Sequence, residues 1–220
     1  VTKPASKRTT VRRGADRGVY DRDTINSILD AGLIAHVGVQ TPEGPMVLPM
    51  AYGRDDSHLY LHGAIANHLL ANGSGNEICV TVTHIDGLVM ARTPFHNSMN
   101  YRSVVVRGVA EKITEPAEKA AALKIITDHI VENWDHTRPV SDADLRATSV
   151  VRVPLAEASG KIRAGDPIDV PEDMAGPWWA GVIPVELKLG DPSRAADCNA
   201  PIVPAAYKSA AHQTITPPVL

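Results

Sequence analysis

The sequence predicts a mainly β fold of the α+β kind, a β-barrel with peripheral helices, and three observations predict it. Short apolar runs between residues 34 and 64 are divided only by turn chemistry, with no helix among them, which argues for an antiparallel meander rather than βαβ units. A long strand candidate, YRSVVVRGVAEKI, occupies 101–113. Helical periodicity is confined to a segment near the N-terminus and one late in the chain. Six or seven antiparallel strands with helices at the margin describe a barrel.

The elements follow in order. Ile25, Ile28 and Leu29 fall at helical spacing in Asp21–Ala31, where Asp21 or Asp23 can cap the start and Gly32 ends the run. Strands are expected at 34–39, 46–52 and 58–64, punctuated by TPEGP and GRDDS. A short helix is expected around Ile65–Ala71, then the loop NGSGN. EICVTVTH at 77–84 alternates as a strand does, DGLVMAR at 86–92 extends that sheet, and 93–100 reads as a loop. In the strand at 101–113, Gly108 marks a bulge or a close backbone approach. Pro116–Trp134 is the clearest helix, with Leu123, Ile126, Ile130 and Trp134 near the helical period. Strands at 149–155 and 182–190 close the set, and the Gly- and Pro-rich stretch between them, from Gly160 to Trp178, reads as loop. The division expected is a basic arm at 1–14, one domain at 15–192 and a Pro/Ala-rich arm at 193–220.

Composition narrows the function classes. The 220 residues carry 22 Lys and Arg against 25 Asp and Glu, a net charge of −3, which leaves no electrostatic footprint for nucleic acid or an anionic membrane. Aromatics are 4%, with Phe95 the single Phe, so Val, Ile, Leu and Ala must build the core. Cys79 and Cys198 form no C-x-x-C pair, and no apolar run approaches a membrane span. The N-terminal stretch is basic but lacks the apolar centre of a secretory signal, so a cytoplasmic protein is expected. P-loop, G-x-G-x-x-G, G-x-S-x-G and H-E-x-x-H patterns are all absent.

His58 and His62 share a strand face, and His84 with Asp86 makes an H-x-D pair, yet zinc needs three or four converging ligands. No metal site is expected. His129, His136 and His212 read as solvated, while Lys161 and Arg163, in a Gly-rich loop, read either as contacts for an anionic ligand or, more often for such a cation, as solvated. Trp178 and Trp179 read as core or dimer packing. The informative segment is DGLVMARTPFHNSMNYRSVVVRG. It gathers Arg92, His96, Asn97, Ser98, Asn100, Tyr101, Arg102 and Ser103 between two strands. Such hydrogen-bonding capacity suits a phosphate-bearing ligand; a plain polar surface loop suits the composition equally.

YLHGA, the DGLVMAR…FH…SMNYRSVVVRG block, SGKIRAGDPID and WAGVIPVELKLGDP together resemble the pyridoxamine 5′-phosphate oxidase-like superfamily, and within it the nitroimidazole-reductase (Nim-type) flavoproteins. The likeness runs from about Arg12 to Pro192. It implies an FMN-binding split β-barrel that pairs as a homodimer with the cofactor at the subunit interface. By that resemblance, backbone groups of Leu48, Pro49 and Met50 would meet the isoalloxazine edge, and His62, Gly63 and Ala64 the ring or ribityl chain. Asn67 and His68 would approach the phosphate at a helix start. Tyr101, Arg102 and Ser103 would contribute from the opposite strand.

The sequence departs from its relatives where they carry a hydroxyl and a cation to grip the phosphate; HGAIANHLL puts Ala64, Ala66 and Asn67 there. A deazaflavin (F420) or haem therefore enters beside FMN. The expected function is an FMN-dependent oxidoreductase acting on a small electron acceptor such as a nitro-aromatic, with His62 the catalytic candidate because its ordinary pKa lies near neutrality. The alternative is a binding protein that holds flavin, F420 or haem without turnover.

Overall fold

A computed structural model describes residues 3–64 and 75–214. The helix expected at 65–71, together with Asn67 and His68, lies outside the described residues. The strands are β1 (Gly18–Val19), β2 (Ala35–Thr41), β3 (Gly44–Met50), β4 (Tyr52–Arg54), β5 (His58–Ala64), β6 (Glu77–Met90), β7 (Ser98–Val109), β8 (Glu111–Lys112), β9 (Thr148–Pro154), β10 (Ala158–Arg163) and β11 (Gly181–Pro184). The two long helices are α1 (Arg22–Ala31) and α2 (Pro116–Ile130). All strand pairs are antiparallel, in two sheets: β1-β10-β7-β6-β2-β3, with β11 also on β6, and β4-β5-β9-β8.

The sheets close on each other because each hides alternate residues. Val37, Val80, Val82, Val104 and Val106 of the first meet Tyr52, Leu59, Leu61, Val151 and Val153 of the second, all at 1% exposure or less. Each such side chain contributes roughly 1.5–3 kcal/mol by leaving water. α1 plugs this barrel with Ile25, Ile28 and Leu29; its cap is the Asp21 carboxylate accepting from the Thr24 N–H at 2.8 Å. α2 covers the other face of the second sheet through Ala122 and Ile126, against Tyr60 and Val150. Gly53 permits that approach, since a Cβ there would stand 2.6 Å from the Ile125 carbonyl oxygen. Gly108 is likewise a close approach, its Cβ position lying 3.1 Å from Val153.

Several expectations are corrected. The runs at 77–84 and 86–92 are one strand, β6, whose register shifts between Ile85 and Gly87. The strand placed at 101–113 begins at Ser98 and breaks at Ala110, whose N–H turns to the Asn76 carbonyl. The loop expected from Gly160 begins instead as β10, because Ala158–Arg163 pairs with β7 along its length and Gly160 lets β1 pack close. β11 stops at Pro184, and α2 stops at Ile130, where the Asp128 carboxylate accepts from the N–H groups of Asn133 and Trp134. The tail holds a short helix, Ala205–Ala210, tied to the body by the Tyr207 hydroxyl on Asn133 and by a bridge of Lys188 with Thr214. Among the described residues no helix is long and apolar enough to cross a membrane.

Candidate functional site

Strand alternation decides which of the candidate residues can act together. On β7, Arg102, Val104 and Val106 are buried toward the barrel interior, so Tyr101 and Ser103 lie on the outer face. Arg102 therefore parts from its two neighbours. Its guanidinium is 2% exposed and donates twice to Asp86, Nε to Oδ2 and Nη2 to Oδ1, each at 3.0 Å. Nη1 is buried without a hydrogen-bond partner among the described residues. The pair is interior, not the exposed ion pair that a polar loop would hold. Ser103 donates to the Lys161 carbonyl at 3.3 Å.

β3 has one strand neighbour among the described residues, β2, so its other edge presents free backbone groups. Met50 turns its side chain into the core, Leu48 packs against the core's margin, and Pro49 faces out opposite His36. Pro49, with no N–H to give a ladder, suits that edge. The chain then turns at Ala51 into the second sheet, where Tyr52 opposes Leu61. His62, Gly63 and Ala64 run past that start and pair with Val150, Ser149 and Thr148 of β9. The edge of β3 and the end of β5 thus meet at one corner, and both offer backbone donors and acceptors there.

His62 at this corner is half-buried and has no hydrogen-bond partner among the described residues, and burial holds its pKa below the ordinary value. Its ring is neutral at pH 7. Two further half-buried histidines are engaged: His84 Nε2 meets the Ile28 carbonyl oxygen at 3.0 Å and His129 Nε2 the Gly32 oxygen at 2.6 Å. His129 also packs on Tyr52, so it is not the solvated residue expected. Arg163 is buried too, spent on the Gly165 and Asp166 carbonyls.

The outer face of the first sheet carries an open groove of about 450 Å³, lined by Gly38, Gln40, Val47, Cys79, Glu77 and Arg107 among others. Gly38 keeps it open: a Cβ there would clash with nothing but would occupy the space, 3.7 Å from Val47. Arg107 is exposed, with no ion-pair partner among the described residues. His36, exposed on the same face, and Arg107 were missed by sequence reasoning; strict alternation along β2 and β7 is the signal that would have found them. From the pairing, Ser103 shares a row with Thr83, and the corner at Ala51 lies three strand spacings away, roughly 14 Å. One protomer does not close Tyr101 and Ser103 onto the β3 edge. A ligand lying across the face, or a second copy, would join them. Trp178 and Trp179 are 57% and 65% exposed, which excludes them from this chain's core.

An unpaired strand edge beside a groove with a glycine in its lining and, among the described residues, an exposed arginine without an ion-pair partner fit a flat ring system bearing phosphate. Residues 21–162 match the pyridoxamine 5′-phosphate oxidase family. The chain is similar to the flavocytochrome Anf3 from Azotobacter vinelandii, with 36% identity, a TM-score of 0.91, and 96% of this chain and 100% of that one covered. It is similar to the FAD and haem binding protein from Mycobacterium smegmatis, with 27% identity, a TM-score of 0.85 and coverage of 90% and 98%. A protein from Bacteroides thetaiotaomicron named for 5-nitroimidazole antibiotic resistance shares 29% identity at a TM-score of 0.56, covering 66% of this chain and 86% of its own. No curated protein matches.

Proposed function

The chain belongs to the pyridoxamine 5′-phosphate oxidase family, whose split barrel binds flavin, and from that premise we propose that it is a flavin-dependent oxidoreductase that also carries haem and works as a homodimer. One observation carries the reading. The two relatives named for flavin together with haem match 90% or more of this chain, so the likeness includes the segment after residue 162, where the family match ends. The protein named for nitroimidazole resistance covers 66%.

A bound flavin would supply the electron transfer, and the protein would orient it and set its surroundings. The free backbone edge at Leu48–Met50 would bind the polar rim of the ring, and Gly63 and Ala64 would let it approach β5. His62, neutral and half-buried, would hold or accept a proton beside the ring. Arg107, with Tyr101 and Ser103, would face phosphate and ribityl oxygens, from the partner subunit's copy where the 14 Å span requires it. Arg102 would act from inside the sheet, by fixing Asp86 and the shift in β6. The electron acceptor would be a small molecule, nitro-aromatics among those to try.

The absorption spectrum of freshly purified protein tests this. Flavin and haem bands together, with FMN or FAD identified by the mass of the released flavin, are the expected result. Bleaching by a reductant and recovery on adding an acceptor would mark an enzyme. A deazaflavin, a single cofactor, or a cofactor that answers to no donor overturns the corresponding part.

A further inference from the structure

We propose that His96, Asp169 and Asp173 form a binding site for a divalent first-row transition-metal ion. One ligand atom from each lies within 4.8 Å of the other two, and His96 Nδ1 stands 3.8 Å from Asp169 Oδ1. Two ligands each about 2 Å from a tetrahedral ion are about 3.3 Å apart, so the His96–Asp169 pair would close by roughly half an ångström and no pair by more than about 1.5 Å.

The side chain of Asp169 is fully buried. Arg92 holds it there, its N–H donating to Oδ1 at 3.0 Å and its Nη1 to Oδ2 at 2.9 Å. That guanidinium balances one carboxylate, and the trio has two. Asp173, on the short helix Pro171–Met174, has no side-chain partner among the described residues. Facing the second charge is His96 Nδ1, itself buried and without a hydrogen-bond partner among the described residues. An imidazole nitrogen and two carboxylates converging with one negative charge unbalanced is a donor set for a cation, and the N/O mixture suits zinc, manganese or iron(II). Arg92 would then orient a ligand from behind, as outer-shell groups do in metal sites. Three protein ligands leave a position for water or a small anion.

The ligands come from far apart in the chain. The ion would clip the loop between β6 and β7 to the segment after β10, beyond the residues matched by the family. None of the three residues lines the groove beside Gly38 and Arg107, and the proposal does not depend on the function proposed above.

The test is calorimetric titration of Zn²⁺ into full-length protein, cofactors retained, after treatment with a chelator. One ion per chain and a raised thermal midpoint are expected. His96→Ala and Asp173→Asn should each weaken binding about 10- to 100-fold, while His136→Ala leaves it unchanged. Asp173→Asn, at a partly exposed position, separates loss of a ligand from loss of fold, and circular dichroism checks that it does. No binding heat with the wild-type protein, or wild-type affinity in both His96→Ala and Asp173→Asn, would overturn the site and leave Asp169 with its Arg92 ion pair alone.

Discussion

Arg102 and Asp86 meet through two parallel hydrogen bonds of 3.0 Å, with the arginine 2% exposed and one of its nitrogens, Nη1, without a partner among the described residues. The carboxylate sits at the point where β6 changes register, so one pair holds both the strand irregularity and the charge inside the sheet. Removing either half has unequal consequences.

Asp86→Asn strands a buried cation and should cost about 3 kcal/mol of stability, whereas Arg102→Met removes the charge with the partner still able to reach water and should cost less than half as much. Urea unfolding of the two variants checks the order. Equal losses would mean that Asp86 is not what compensates Arg102.

Gly53→Ala should loosen α2. The added methyl would lie 2.6 Å from the Ile125 carbonyl oxygen and 2.8 Å from Ile126 Cα, both backbone atoms that cannot rotate away. The helix must move, at a cost of about 1–3 kcal/mol. A lowered thermal midpoint with Tyr60 and Ile126 more accessible is the expected outcome; an unchanged midpoint would show that α2 has slack.

Acid should weaken the fold through its buried histidines. Burial lowers the pKa of His62, His84 and His129 from the ordinary 6.5, so between the lowered values and 6.5 the unfolded chain binds more protons than the folded one. Stability is therefore fully present above 6.5 and declines as pH falls from there through the folded values. Denaturation midpoints measured on both sides of 6.5 follow this, and His129→Gln should flatten the slope. A steeper slope in that variant would locate the linkage elsewhere.

The outer face of the first sheet should bury itself against a second copy. Val47 is 61% exposed and Ile85 46%, an apolar surface that a strand sheet rarely leaves open. Light scattering is expected to give twice the chain mass of 23.5 kDa. Val47→Glu with Ile85→Glu should halve it and release the flavin while the barrel stays folded. A wild-type monomer would remove both the dimer and the shared site.

The sequence determined whatever depends on near neighbours. Periodicity placed α1 with its Asp21 cap, and β5 came out at residues 58–64 because turn residues bound that strand. The residue types of the block around Arg92–Ser103 left a ligand site and a polar loop equally open, and it was the block's likeness to flavoproteins that named the family. Pairing across the chain was decided only in three dimensions. β10 has too few apolar residues to declare itself, and is a strand because β7 supplies its hydrogen bonds. Tyr101, Arg102 and Ser103 read as one cluster until the pleat sent the middle residue inward to Asp86. His96 meets Asp169 across more than seventy residues, and Gly38 opens a groove only because β3 and β6 flank it. Local order follows from dihedral preference and spacing, which each residue carries with it; a site follows from which distant backbone segments pack together, and that is set by the whole core at once.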